Sequence, residues 1–127
     1  MAGPPHRTAE PAVASFWESA LGWRQTWSDD DQVCLEPPEG SPEDGIIPDL
    51  VFLRVPEAKV AKNRLHFDIR ASGSWTDPIG TRRSRVDAEA NRLAGLGATI
   101  TGALSEDGLD HYAVGMKDPE GNEFDIN

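Results

Sequence analysis

An α+β fold is what this sequence predicts, built from two βαβββ modules that form a half-open mixed-sheet barrel with helices outside. Three observations carry it. Each half holds one amphipathic helix ending in Leu-Gly, at Leu21-Gly22 and at Leu96-Gly97. Each helix is followed by three short segments of strand character. A strand around His66 precedes the second helix, and a weak one around His6 can precede the first, so the order β-α-β-β-β occurs twice. Paired modules of this kind bury the apolar sides of their sheets under helices and leave a cleft within.

With 127 residues the chain suits one domain, its first module covering about 1–58 and its second about 62–127. Acidic residues number 22 against 12 basic ones, for a net charge of −10, which argues against nucleic acid or an anionic membrane as partner. Cys34 is the only cysteine, so no intramolecular disulfide can form. No apolar run approaches the roughly 18 residues of a membrane-spanning helix, and no basic-then-apolar leader pattern opens the chain. A soluble, cytoplasmic protein is expected.

Met1 to Pro11 contains three prolines and reads as an extended arm. From Ala12 to Leu21 the apolar residues Val13, Phe16, Trp17, Ala20 and Leu21 form one stripe at helical spacing, with Gly22 placed to cap the end. Trp23 to Trp27 alternates as a strand, the three aspartates Asp29 to Asp31 turn, and Gln32 to Glu36 is a second strand. Pro37 to Pro48 is a loop, Leu50 to Val55 a strong β segment, and Pro56 to Asn63 a connection. Leu65 to Arg70 is the strand that opens the second module. Ala71 to Arg83 reads as a loop and Ser84 to Leu96 as the second helix, with Ser84 and Asp87 approximating a capping box. Ala98 to Thr101 and His111 to Met116 are strands separated by a turn at Ser105 to Asp110, and His111 reads as a surface residue. The run Asp118-Pro119-Glu120-Gly121-Asn122 is a tight turn leading into the last strand.

Two strands point to chemistry. On Glu123 to Ile126, Phe124 and Ile126 share one face while Glu123 and Asp125 share the other. On Leu65 to Arg70, Leu65, Phe67 and Ile69 oppose His66, Asp68 and Arg70. If the strands share a sheet with their apolar sides together, His66, Asp68, Glu123 and Asp125 emerge on one surface. One imidazole with up to three carboxylates suits a divalent metal or a general base. The same alternation also suits half-solvated strands with salt-bridged outer faces. Trp23, Trp27 and Trp75 can wall a ligand pocket together with Asp68, or serve as core and interface aromatics.

The motifs Phe16-Trp17-Glu18-Ser19-Ala20-Leu21-Gly22-Trp23, Asn63-Arg64-Leu65-His66-Phe67-Asp68 and Leu96-Gly97-Ala98, together with Asp118-Pro119-Glu120-Gly121-Asn122-Glu123-Phe124, resemble the vicinal oxygen chelate superfamily. This is the glyoxalase, bleomycin-resistance and extradiol-dioxygenase group, and the likeness is to its compact glyoxalase-like branch, from about Ala12 to Ile126. The resemblance implies a metal ligand from the strand opening each module and one from each closing strand. Those positions fall at His66 and at Asp125, four residues after the turn's glycine, with His6 the candidate in the first module. The first closing strand offers only Asp49 and Arg54. The implied cofactor is zinc, nickel, cobalt, manganese or iron, or none. Glu123 and Asp125 are the implied proton shuttles of a lyase or isomerase acting on a small molecule with adjacent oxygens. Without a metal, the cleft is that of a drug- or metabolite-sequestering protein. A homodimer is implied in either case.

Overall fold

The computed structural model describes residues 9–63, 65–105 and 110–127. His6 and the strand expected around it lie outside these residues. The chain divides into two compact units, Met1–Ala58 and Lys59–Asn127. Among the described residues there are two helices and seven strands, an α+β architecture.

In the first unit, helix α1 (Ala9–Leu21) begins three residues before the expected start at Ala12 and includes Pro11 in its first turn, where a missing N–H costs nothing. Val13, Ala14, Phe16, Trp17 and Ala20 are buried, the rings of Phe16 and Trp17 meeting edge to face at 5.2 Å. The helix stops at Gly22, whose φ of +70° an L side chain rarely adopts, and whose N–H reaches Glu18 O at 3.0 Å. Strands β1 (Arg24–Ser28), β2 (Gln32–Glu36) and β3 (Leu50–Leu53) form an antiparallel sheet in that order, and α1 packs on β2 and β3. Fully buried Leu35 anchors β2. Asp29 Oδ1 accepts the N–H groups of Asp31 and Gln32, the side-chain turn that aspartate favours.

The second unit contains β4 (Phe67–Ile69), α2 (Ile79–Gly95), β5 (Thr99–Leu104), β6 (Ala113–Lys117) and β7 (Glu123–Ile126). Its sheet order is β4-β7-β6-β5, with β4 parallel to β7 and the other pairs antiparallel. Helix α2 lies over β5, β6 and β7, and the core combines Val86, Ala90 and Leu93 with Met116, Phe124 and Ile126.

Two elements differ from expectation. Helix α2 starts at Ile79, not Ser84. Pro78 occupies the cap position with φ −54° and ψ 144°, and Ser84 sits inside the helix with its hydroxyl donating to Gly80 O. The polar run 79–83 reads as loop because its buried anchor is Arg82, a residue that apolar periodicity cannot register. Strand β4 is also shorter than the expected Leu65–Arg70. It lies at the sheet edge, beyond the strands that α2 covers, so its apolar side stays wet: Leu65 is 86% and Phe67 46% exposed. The closing turn matches expectation. Asp118 is buried, its Oδ1 accepting from Glu120 N and Asn122 N at 2.9 Å each, and Gly121 takes φ +85°.

Candidate metal centre and adjoining cavity

The parallel register of β4 and β7 sets Asp68 opposite Asp125. His66, two residues before Asp68, emerges on the same side. Its Nε2 lies 3.1 Å from Asp68 Oδ1 and 3.2 Å from Asp125 Oδ2. One donor atom from each of the three residues falls within 4.8 Å of the others. Two main-chain bonds and one side-chain bond hold this convergence: Asn127 N–H donates to Ile69 O at 2.9 Å, Ala71 N–H donates to Asn127 O at 2.6 Å, and the Asn63 side-chain Nδ2 donates to Glu123 O at 3.0 Å. An imidazole with two carboxylates is a mixed nitrogen and oxygen donor set, suited to manganese, iron or zinc. Two carboxylates around one imidazole carry an excess of negative charge that a divalent cation would balance.

Glu123 and Asp125 point to the same side of β7, and with His66, Thr101, Gly115 and Lys117 they border a cavity of about 380 Å³. Glu123 pairs with Lys62, and that hydrogen bond, helped by the charges of Lys62, Lys117 and Lys59, holds its carboxyl below the usual glutamate range. A neighbouring cavity of about 410 Å³ is bordered by Asp68, Arg70, Trp75 and His111, among others. Asp68 therefore belongs to both the donor cluster and this second cavity.

Of the candidate site residues, His66, Asp68, Glu123 and Asp125 are brought together in the second unit, and Trp75 stands beside Asp68's cavity with 80% of its surface exposed. Trp23, just before β1, and Trp27, on β1, belong to the first unit, where Trp27 is 51% exposed. His6 lies outside the described residues. The first unit also groups Cys34, Glu36 and Asp49, with Cys34 Sγ 3.9 Å from Asp49 Oδ2. Sequence reasoning passed over that grouping, although Cys34 and Glu36 share a strand face and β3 pairs with β2 next to Asp49. It also passed over Lys62 and Arg70 as site residues. The alternation of His66, Asp68 and Arg70 was the available signal for Arg70, and none existed for Lys62, which lies 61 positions from its partner.

No curated protein matches the sequence. Solved structures do match the fold. A glyoxalase/bleomycin resistance protein/dioxygenase family enzyme from Burkholderia phytofirmans PsJN aligns with TM-score 0.63 at 16% identity, over 93% of this chain and 88% of its own. A genomically encoded fosfomycin resistance protein from Listeria monocytogenes, complexed with Mn(II) and 1S,2S-dihydroxypropylphosphonic acid, aligns with TM-score 0.64 at 8% identity, over 92% and 79%. The bleomycin-binding protein of Streptomyces verticillus, complexed with copper(II)-bleomycin, aligns with TM-score 0.50 at 21% identity, over 92% and 84%. At such identities the likeness is one of fold alone. The sequence model described as a glyoxalase-like domain matches residues 7–127, so the chain belongs to the glyoxalase-like domain family.

Proposed function

We propose that the protein is a metal-dependent lyase or isomerase acting on a small molecule with adjacent oxygen atoms, its ion held by His66, Asp68 and Asp125. The observation that supports this most directly is the convergence of His66 Nε2 on two carboxylates from adjacent strands, at 3.1 and 3.2 Å. A bound divalent ion supplies Lewis acidity toward chelating oxygens. The chain's own residues do the rest. Asp125, on a strand paired on both sides, fixes one ligand position, while Asp68 approaches from the edge strand and His66 from the residue just before it. Glu123 faces the cavity it shares with His66, takes the proton from the substrate carbon beside those oxygens and returns it to the neighbouring atom, while the hydrogen bond from Lys62 holds the carboxylate in place and tempers its basicity. Leu104, half exposed, supplies an apolar part of the wall.

The test is a titration of the purified protein with manganese, zinc, nickel and cobalt, followed by elemental analysis, alongside His66→Ala and Asp125→Ala. One ion per chain in the wild type, lost from both variants, is the expected result. A wild type that retains no stoichiometric metal, yet binds a small ligand tightly, would sink the enzyme reading and favour a sequestering protein.

A further inference from the structure

The cavity beside the donor cluster is a half-enclosed space whose formal charges balance but are unequally engaged. Four charged residues line it: Asp68, Arg70, Arg82 and Asp110. Arg82 is buried and fully engaged, its Nη2 donating to Asp110 Oδ1 at 2.5 Å, its Nη1 to Asp110 O at 3.2 Å and its Nε to Asp77 O at 2.8 Å. That pair is internally neutral. Asp68 is turned to His66. Arg70 has no hydrogen-bond or ion-pair partner among the described residues, so the charge left for a ligand is a guanidinium, in a protein whose net charge is −10.

Trp75 supplies the second feature. It stands on the loop between β4 and α2 with its indole largely in water, a broad apolar surface at the wall of a polar cavity. Its loop is pinned rather than loose: Asp77 N–H donates to Ser74 O at 3.0 Å, and Arg85 Nη1 donates to Ser72 O at 2.8 Å and pairs with Asp77. A guanidinium fork binds a carboxylate through two parallel hydrogen bonds, and an indole stacks on a planar ring. Arg70 lies two residues beyond Asp68, about 7 Å along an extended chain. That is close to the length of one six-membered ring substituted at both ends.

We infer that this cavity is the specificity site of the enzyme and selects substrates that carry a carboxylate on a planar, aromatic body, with Arg70 binding the carboxylate and Trp75 the ring. The inference rests on the reading of His66, Asp68 and Asp125 as the seat of the ion, and it adds the substrate class.

Phenylacetate tests it because the probe has the anion and the ring but no adjacent oxygen pair to need a metal. Saturation-transfer NMR titrations would compare phenylacetate, neutral phenylacetamide and cationic phenethylammonium on the metal-free full chain. Phenylacetate should bind about tenfold more tightly than the amide, the worth of one charge-assisted contact. Arg70→Met should abolish that preference, Arg70→Lys should keep part of it, and Trp75→Ala should weaken acid and amide alike. Equal binding of acid and amide, preference for the amine, or a preference that survives in Arg70→Met overturns the inference. Asp125→Ala, which removes an ion ligand that does not line this cavity, should lose manganese and keep phenylacetate. Manganese binding without phenylacetate preference overturns the specificity site alone, whereas phenylacetate preference without manganese binding overturns the metal-centre reading and leaves the anion site standing.

Discussion

Asp118→Ala is the substitution that most directly connects the fold to the site. The carboxylate is 3% exposed and accepts Glu120 N–H, Asn122 N–H and the Asn122 side-chain amide, at 2.9 to 3.1 Å. Alanine removes every one of these acceptors. A hydrogen bond to a charged group contributes about 1.5–3 kcal/mol, and water can replace part of it near exposed Glu120, so roughly 3 kcal/mol is the expected loss. For a chain of this length each kcal/mol shifts Tm by about 3–5 °C, so the variant should melt about 10–15 °C lower. The turn also sets the β6–β7 register, in which Gly115 faces Asp125 and Met116 faces Phe124. A slip of one residue would turn Asp125 into the core and Phe124 into the cavity. Metal titration on the folded variant therefore provides a second readout, and affinity should fall together with stability. Thermal melting followed by circular dichroism gives the first number. Asp118→Asn, which keeps one acceptor oxygen, should lose less. An alanine variant melting within about 2 °C of wild type would refute the idea that this carboxylate holds the turn.

Two other predictions concern a cavity wall and the loop that carries Trp75. A Cβ on Gly115 would lie 2.7 Å from Thr101 Oγ1 and 3.7 Å from Asp125 Oδ1, so Gly115→Ala should destabilise by about 1–3 kcal/mol through overpacking. Urea unfolding should show a lowered midpoint that Thr101→Ala partly restores, and an unchanged midpoint would show that β5 yields freely. The hydrogen bond from Arg85 is the main reason that the Asp77 carboxyl titrates below the usual aspartate range. Because the folded value is depressed, its stabilisation is complete above the ordinary aspartate pKa and is lost as pH falls through the lowered one. Arg85→Ala should move the Asp77 midpoint up toward the ordinary value by carboxyl-carbon NMR, and an unmoved midpoint would count against the pairing.

The sequence was most informative where one local rule decided an element. Gln32–Glu36 and Glu123–Ile126 have the expected bounds because alternation and a turn at one end agree. Helix α1 follows its stripe, and Gly22 and Gly97 both take positive φ beside the helix ends. Reading failed where a polar residue does the work of an apolar one. Arg82 is buried in α2 because Asp110 and Asp77 O satisfy it, and neither partner is visible from local pattern. Similarly, the apolar face of β4 reads as core, yet only an element stacked above it could bury it, and α2 lies over β5 to β7.

The same edge position explains how the donor cluster could be anticipated despite that error. Which side chains share a strand face depends on the pleat alone, so His66 and Asp68 emerge together whether or not Phe67 is covered. What alternation cannot supply is the partner strand. Asp68 meets Asp125 because β4 runs parallel to β7, and a parallel neighbour requires a crossover, here the path through α2, β5 and β6. The cluster is thus asymmetric in support. Asp125 is held by hydrogen-bonded strands on both sides, whereas His66 precedes a three-residue edge strand whose end is tied back through Asn127. An ion seated here would draw on a fixed ligand and two that can adjust, so loss of Asp125 should be felt by any divalent metal, while loss of His66 should discriminate most among metals that favour nitrogen donors.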